Sequence, residues 1–268
     1  MPSRTDGAAT TPSEMAATGS DRWPLFVLVH GGQQGAWVFD RLIPELNRHG
    51  YGGLALEMPA GDPDAGASEY ADLIVRSLAA VTDDVVLVGH SMGGLTIPLV
   101  AQRRTVRQLV FVCAAYPEPG RSHFDVKARE PGENVSGGAS TAWQQPGDFH
   151  LLPRELARGL FFHDCTPDVQ EWALDRLRRQ ARKPLREETP LTRWPDTPRT
   201  LIVTTDDRCI PLDSARRTAM RVFGVEPMEL PGGHCPSLSR PALLAETLIG
   251  ALSAPEGGRG PRSTGSLD

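Results

Sequence analysis

Residues 84–94, DVVLVGHSMGG, constrain this chain more than any other stretch. An unbroken apolar run leading into glycine suits a strand covered on both faces, as strands inside a parallel sheet are. The run passes without a polar spacer into a Gly-x-Ser-x-Gly pattern, Gly89 to Gly93, and then into GLTIPLVAQ, which reads as a helix. A sharp strand-to-helix turn lifts the Ser91 hydroxyl clear of the sheet, and glycine at 89 and 93 lets the backbone close that tightly. The start of the following helix and the N–H of Met92 would then face an oxygen that becomes negative. Pro98 stands inside the helical pattern and is expected to kink it. His90, beside the serine, should point away from it and is read as a packing or hydrogen-bonding histidine.

Strand and helix signals alternate along the rest of the chain. WPLFVLVH (23–30), YGGLALEMP (51–59), VRQLVFVCAA (106–115), PRTLIVTT (198–205) and residues 225–230 read as further strands. Helical spacing of apolar residues marks 37–49, Ser68 to about Val81, Leu212 to Phe223, and Pro241 to Leu252. This alternation predicts an α/β fold with a mainly parallel, doubly wound sheet. The regularity breaks at about 117–192, a block rich in Pro, Gly and charge with helical patterns at 153–162 and 167–182. It is expected to be a helical cap inserted above the strand ends, where sheets of this kind bind ligands. One domain over 23–253 is predicted, with disordered Ser/Thr/Ala/Gly-rich tails at 1–22 and 254–268.

Charge and cysteine content exclude several function classes. The 268 residues carry a formal net charge of −5, and the arginines are interspersed with acids, so neither nucleic acid nor a membrane surface is an expected partner. Cys113, Cys165, Cys209 and Cys235 form no CxxC pair, which argues against a zinc or other metal site and against a disulfide framework. Free thiols and the absence of an apolar leader or membrane-length run make a cytoplasmic protein the expectation.

A serine hydroxyl needs a base to take its proton. Of the histidines after Ser91, only His234 follows a late strand and sits in a Gly-rich loop, PGGH, before the last helix. The supporting acid should come from TTDDRCIP (204–211), where Asp206 and Asp207 are both open, since alternation sends them to opposite sides. In HGGQQGAW (30–37) glycines allow a backbone N–H, chosen here as that of Gly32, to approach the reacting oxygen opposite Met92. His30 would brace this loop.

Taken together, HGGQQGAWVFDRL, GHSMGGL, TTDDRCIP and PGGHCPSLSRP resemble the α/β-hydrolase superfamily. More narrowly they are similar to the branch of plant methylesterases, hydroxynitrile lyases and bacterial esterase relatives, over roughly 23–253 and including LFFHDCTPDVQEWALDRLRRQ. The resemblance implies the α/β-hydrolase fold. It also implies an acid within D-x-x-x-P, which Asp207 to Pro211 matches and Asp206 does not, and oxyanion donors at Gly32 and Met92. The lyases of the branch carry Thr after the loop histidine and Lys after the catalytic one; here those places hold Gly31 and Cys235.

The expected function is therefore hydrolysis of a small to medium carboxylic ester through an acyl-Ser91 intermediate, with His234 as base, Asp207 as acid and no metal or organic cofactor. Thioester, lactone or methyl ester substrates would use the same residues. A lyase, and a ligand-binding protein on the same fold, are the alternatives from other classes. Trp143, Phe161, Phe162 and His163 are the candidates for lining the substrate pocket, although Phe161 and Phe162 could instead pack the cap onto the sheet.

Overall fold

The computed structural model describes residues 23–82, 84–129 and 147–252. The expectations for the two tails and for Trp143 fall outside these residues. Among the described residues eight strands are assigned: β1 (Leu25–Val29), β2 (Gly53–Leu56), β3 (Val85–His90), β4 (Gln108–Val112), β5 (Phe149–His150), β6 (Gln180–Ala181), β7 (Arg199–Thr204) and β8 (Met228–Leu230). Six of them form one sheet in the order β2-β1-β3-β4-β7-β8, every neighbouring pair parallel. β5 and β6 make a separate antiparallel ribbon.

Side-chain alternation on these strands explains why they read as continuous apolar runs. Phe26, Leu28, Val86, Val88, Val110, Val112 and Ile202 enter a core on one face of the sheet. Val27, Val29, Val85, Leu87, Leu109, Phe111 and Leu201 enter a second core on the other. Both faces must then be covered by helices. On the first face lie α1 (Leu42–Arg48) and the last helix, Pro241–Ala251, which bury Leu42, Leu46, Leu244 and Leu248. On the second lie α2 (Ala67–Ser77), α3 (Ile97–Arg103) and the helix Leu212–Phe223. Ala67, Tyr70, Ala71 and Ile74 of α2 are the buried stripe, at the spacing of one helix face.

Pro98 does not kink a helix interior. A 3-10 turn over Ser91–Leu95 ends first, and α3 starts at Ile97 with the proline in its opening turn, where no backbone N–H is missed. The helical pattern expected to run to 182 stops at Leu174 because the chain must turn into β6. Between β4 and β7 no described residue joins the main sheet. That segment holds α4 (His123–Ala128), β5, α5 (Arg154–Phe161), α6 (Pro167–Leu174), β6 and α7 (Lys183–Arg186).

Strand order places the site. The chain goes from β1 outward to β2, then returns to lay β3 on the other side of β1. The loops leaving β1 and β3 therefore diverge at the carboxyl edge, where sheets of this type open a crevice. β1 and β3 end in register, Val29 opposite Gly89, so His30 and His90 begin the two loops side by side.

Candidate active site

Ser91 sits at the carboxyl end of β3 with φ of 50°, a left-handed conformation that a non-glycine residue holds only when its surroundings impose it. Here backbone packing imposes it. A Cβ on Gly89 would lie 3.0 Å from the Gly93 carbonyl, and one on Gly93 would lie 2.5 Å from the Val29 carbonyl oxygen. The Ser91 carbonyl accepts a hydrogen bond from Ala115 N–H at 3.0 Å, which ties the turn to the end of β4. Met92 is buried.

Ser91 Oγ lies 3.0 Å from His234 Nε2, and His234 Nδ1 lies 2.8 Å from Asp207 Oδ2. An ionised carboxylate only accepts, so Nδ1–H donates to Asp207 and Nε2 is left to accept the serine proton. The other Asp207 oxygen accepts the amides of Cys209 and Ile210 at 2.7 and 2.9 Å. Burial works to raise the Asp207 carboxyl. The His234 ring, its hydrogen bond and the two amides outweigh burial and hold the group below the ordinary carboxylate value. The structure thus brings together Ser91, His234 and Asp207 in one relay. Asp206 is left on the surface, its side chain 62% exposed.

The loop after β1 packs directly on Ser91. Gly31, Gly32, Gln33 and Gln34 are all buried, and a Cβ on Gly31 would come within 2.8 Å of Ser91 Cβ. A threonine at 31 would therefore displace the serine or the loop. Gln33 has φ of 64°, and its side-chain oxygen accepts Leu152 N–H at 2.8 Å, which joins this loop to the segment following β5.

His30 and His90 brace the site from within. His30 Nδ1 donates to its neighbouring carbonyl at Gly31, while Nε2 accepts Met58 N–H. His90 Nε2 donates to the His234 carbonyl at 2.8 Å, and Nδ1 lies 3.1 Å from the Gln34 side-chain amide. Burial lowers both, to about 4 for His30 and about 3 for His90, so both stay neutral.

The aromatic residues expected at a pocket lie close to the base. Phe161 stacks on the His234 ring, centroids 5.8 Å apart. Phe162 is fully buried against Trp37 within the core. His163 Nε2 donates to the Asp206 carbonyl at 3.0 Å, so the histidine clamps the acid loop to the end of α5. Its neighbour Asp164 accepts Gly233 N–H at 2.7 Å and holds the base loop in the same way. Sequence reading passed over Asp164, Thr204, whose hydroxyl donates to the Gly233 carbonyl, and Gln34. Each acts across the fold, and only the adjacency of Asp164 to His163 offered a local hint.

Asp207, Cys209 and His234 place one ligand-type atom each within 4.8 Å of one another. The carboxylate and imidazole are committed to each other, and burial pushes the Cys209 thiol well above its usual range, so the set is poorly suited to a cation. All four cysteines are free thiols.

Comparison with known proteins adds a lineage to this geometry. A probable esterase, PIR7A, from Oryza sativa subsp. indica is 28% identical over 250 residues, covering 84% of this chain and 95% of the relative. A pyrethroid hydrolase from Sphingobium wenxiniae is 26% identical over 249 residues, covering 85% and 88%. The crystal structure of a pyrethroid hydrolase from Sphingobium faniae JZ-2 superposes with a TM-score of 0.74 at 24% identity, over 87% of this chain and 98% of that one. The model of the alpha/beta hydrolase family matches residues 26–247, and the chain belongs to that family.

Proposed function

We propose that the chain is a serine hydrolase of carboxylic esters, acting through an acyl-Ser91 intermediate. The observation that carries this reading is the unbroken relay from Ser91 Oγ through His234 to Asp207, 3.0 and 2.8 Å long. In the first half-reaction the serine oxygen attacks the ester carbonyl while its proton passes to His234 Nε2. Collapse of the tetrahedral adduct expels the alcohol, which takes that proton. In the second, water attacks the acyl-enzyme, gives its proton to the same nitrogen, and the acid leaves as Ser91 recovers its hydrogen. Asp207 orients the imidazole and stabilises its cation.

The N–H groups of Gly32 and Met92 are the proposed oxyanion donors, supported by the close packing of the loop after β1 against Ser91. Phe161 and His163 would border the alcohol or acyl side through their contacts with the base and acid loops, with Phe162 behind them. A single domain over 23–253, capped by about 117–192, frames this reading. The esterase, methylesterase and hydrolase names of the relatives agree with ester chemistry on a small molecule. Cyanohydrin cleavage is disfavoured because Gly31 leaves no room for the lyase threonine. No described helix is long and apolar enough to cross a membrane, and the four free thiols suit the cytoplasmic location proposed here.

Turnover of p-nitrophenyl esters of graded length by the wild type and by Ser91→Ala tests the reading. Hydrolysis by the wild type, falling about 10⁴-fold or more in the variant, is expected. Equal turnover by both proteins would remove Ser91 from the chemistry.

A further inference from the structure

Arg182 heads the large side chains that the fold hides completely, at 2% exposure, and its Nε and Nη1 find no acceptor among the described residues. A guanidinium cannot shed its proton to escape such a site, and a buried charge without a counter-ion is strongly destabilising. Surface arginines of the same chain are matched, Arg154 with Glu171 and Asp175, and Arg216 with Glu229. Arg182, which has no such partner among the described residues, is in the interior.

Its position is informative. Arg182 directly follows β6 and extends the ribbon, its N–H donating to the Asp148 carbonyl at 2.8 Å. Side chains alternate along a strand, so Gln180 and its cross-strand partner His150 share a ribbon face, and the charge of Arg182 bears on the His150 ring. That face is turned to the loop after β1, because Gln180 Oε1 accepts Gln33 N–H at 3.3 Å. The same loop presses on Ser91, and α7, which begins at the next residue, packs beside the Ser91–Leu95 turn. Among the described residues, the charged or titratable groups bearing on Arg182 are Arg186 and His150. The ring of His150 is driven down to about 3 by burial, then by these two arginines. In a chain of net charge −5, this is a buried positive spot on the ribbon that holds the loop pressing on Ser91.

We propose that Arg182 receives an oxyanionic group, carboxylate or phosphate, carried by the ester, so that the preferred substrates are acidic esters such as half-esters of dicarboxylic acids. A planar fork of N–H donors matches two oxygens of such a group, and enclosure away from water strengthens the pair. The inference rests on Ser91 being the nucleophile of an ester hydrolase.

The test compares mono-p-nitrophenyl glutarate with p-nitrophenyl valerate, its uncharged counterpart of equal chain length, on the wild type, Arg182→Met and Arg182→Lys. The ratio of kcat/KM for the acidic over the neutral ester should fall by about 30-fold or more in Arg182→Met, as expected for losing one partner of an enclosed charge pair. Arg182→Lys, which keeps the charge without the fork, should fall between. Glutarate or inorganic phosphate should inhibit valerate hydrolysis and raise the Tm of the wild type but not of Arg182→Met, and the stronger of the two identifies the anion. Arg182→Met is expected to be at least as stable as the wild type, since it removes an unmatched buried charge. A ratio unchanged within about threefold, with no anion effect on Tm in the wild type, overturns the proposal. Failure of the wild type to cleave either ester would instead sink the hydrolase reading, while the Tm comparison still decides the anion site.

Discussion

The two sides of the active site are held by different physics. On the nucleophile side, Ser91 is placed by contacts among backbones: Gly89 against Gly93 and Gly93 against Val29. On the acid and base side, position comes from polar contacts that span the sequence. Thr204 and His90 fix the backbone about His234, Asp164 and His163 reach in from the end of α5, and two amides fix Asp207. Close packing has no adjustable parts, so the first side should break as a fold. Hydrogen bonds can be lost one at a time, so the second side should break as an activity.

The largest effect is expected at the acid. Asp207→Asn should lower kcat by about 10⁴-fold, because an amide cannot hold the imidazolium as a carboxylate does, whereas Asp206→Asn should change it little. Measured kcat values for the pair decide; the opposite ranking would move the acid by one residue. Next comes the nucleophile side. Gly93→Ala drives a methyl group to 2.5 Å from the Val29 carbonyl oxygen, and overpacking of this kind costs about 1–3 kcal/mol or more. Chemical denaturation should show the loss; full stability with reduced kcat would blur the distinction between the two sides.

A smaller effect is expected at Asp164. Asp164→Ala should reduce kcat by about 10- to 100-fold through a displaced base loop, with Tm shifted by only a few degrees. Asp164→Asn should recover most of the activity, since its amide oxygen can still accept Gly233 N–H. A purely structural Asp164 would instead move Tm and leave kcat per folded molecule alone.

Most of the nucleophile side was legible in the sequence because its causes are local. Gly89 and Gly93 flank Ser91, and the apolar run before them could only be a strand buried on both faces. The limits of the Leu212–Phe223 helix were legible for the same reason: an apolar stripe, then Gly224 in a left-handed cap. The acid was not. Alternation separates Asp206 from Asp207 without saying which faces His234, and the resemblance to D-x-x-x-P chose between them. Pro98 was misjudged because the 3-10 turn after Ser91 ends one helix-like stretch before the next begins. Beyond the adjacency of Asp164 to His163, neither Asp164 nor Arg182 was legible. What singles them out is a partner 69 residues away for Asp164 and a missing acceptor in the folded interior for Arg182, and no local pattern records either.

A separate expectation concerns acid. His30, His90 and His150 titrate at about 4, 3 and 3 in the folded protein, each lowered chiefly by burial. An unfolded histidine titrates near about 6.5. Between these values the unfolded chain binds up to about three more protons at these sites, so stability is full above about pH 6.5 and is lost progressively as pH falls. Urea midpoints should decline steadily from pH 7 to 5. A flat profile would mean that these rings are not held neutral, and that the braces of the Ser91 and His234 loops are looser than drawn.

The most direct test is covalent. A fluorophosphonate should add one phosphonyl group to the peptide containing Ser91, read by mass spectrometry. Labelling should vanish in Ser91→Ala and slow by several decades in His234→Ala. An unlabelled Ser91 in a protein that still hydrolyses esters, or labelling that ignores the loss of His234, would contradict a serine activated by that histidine.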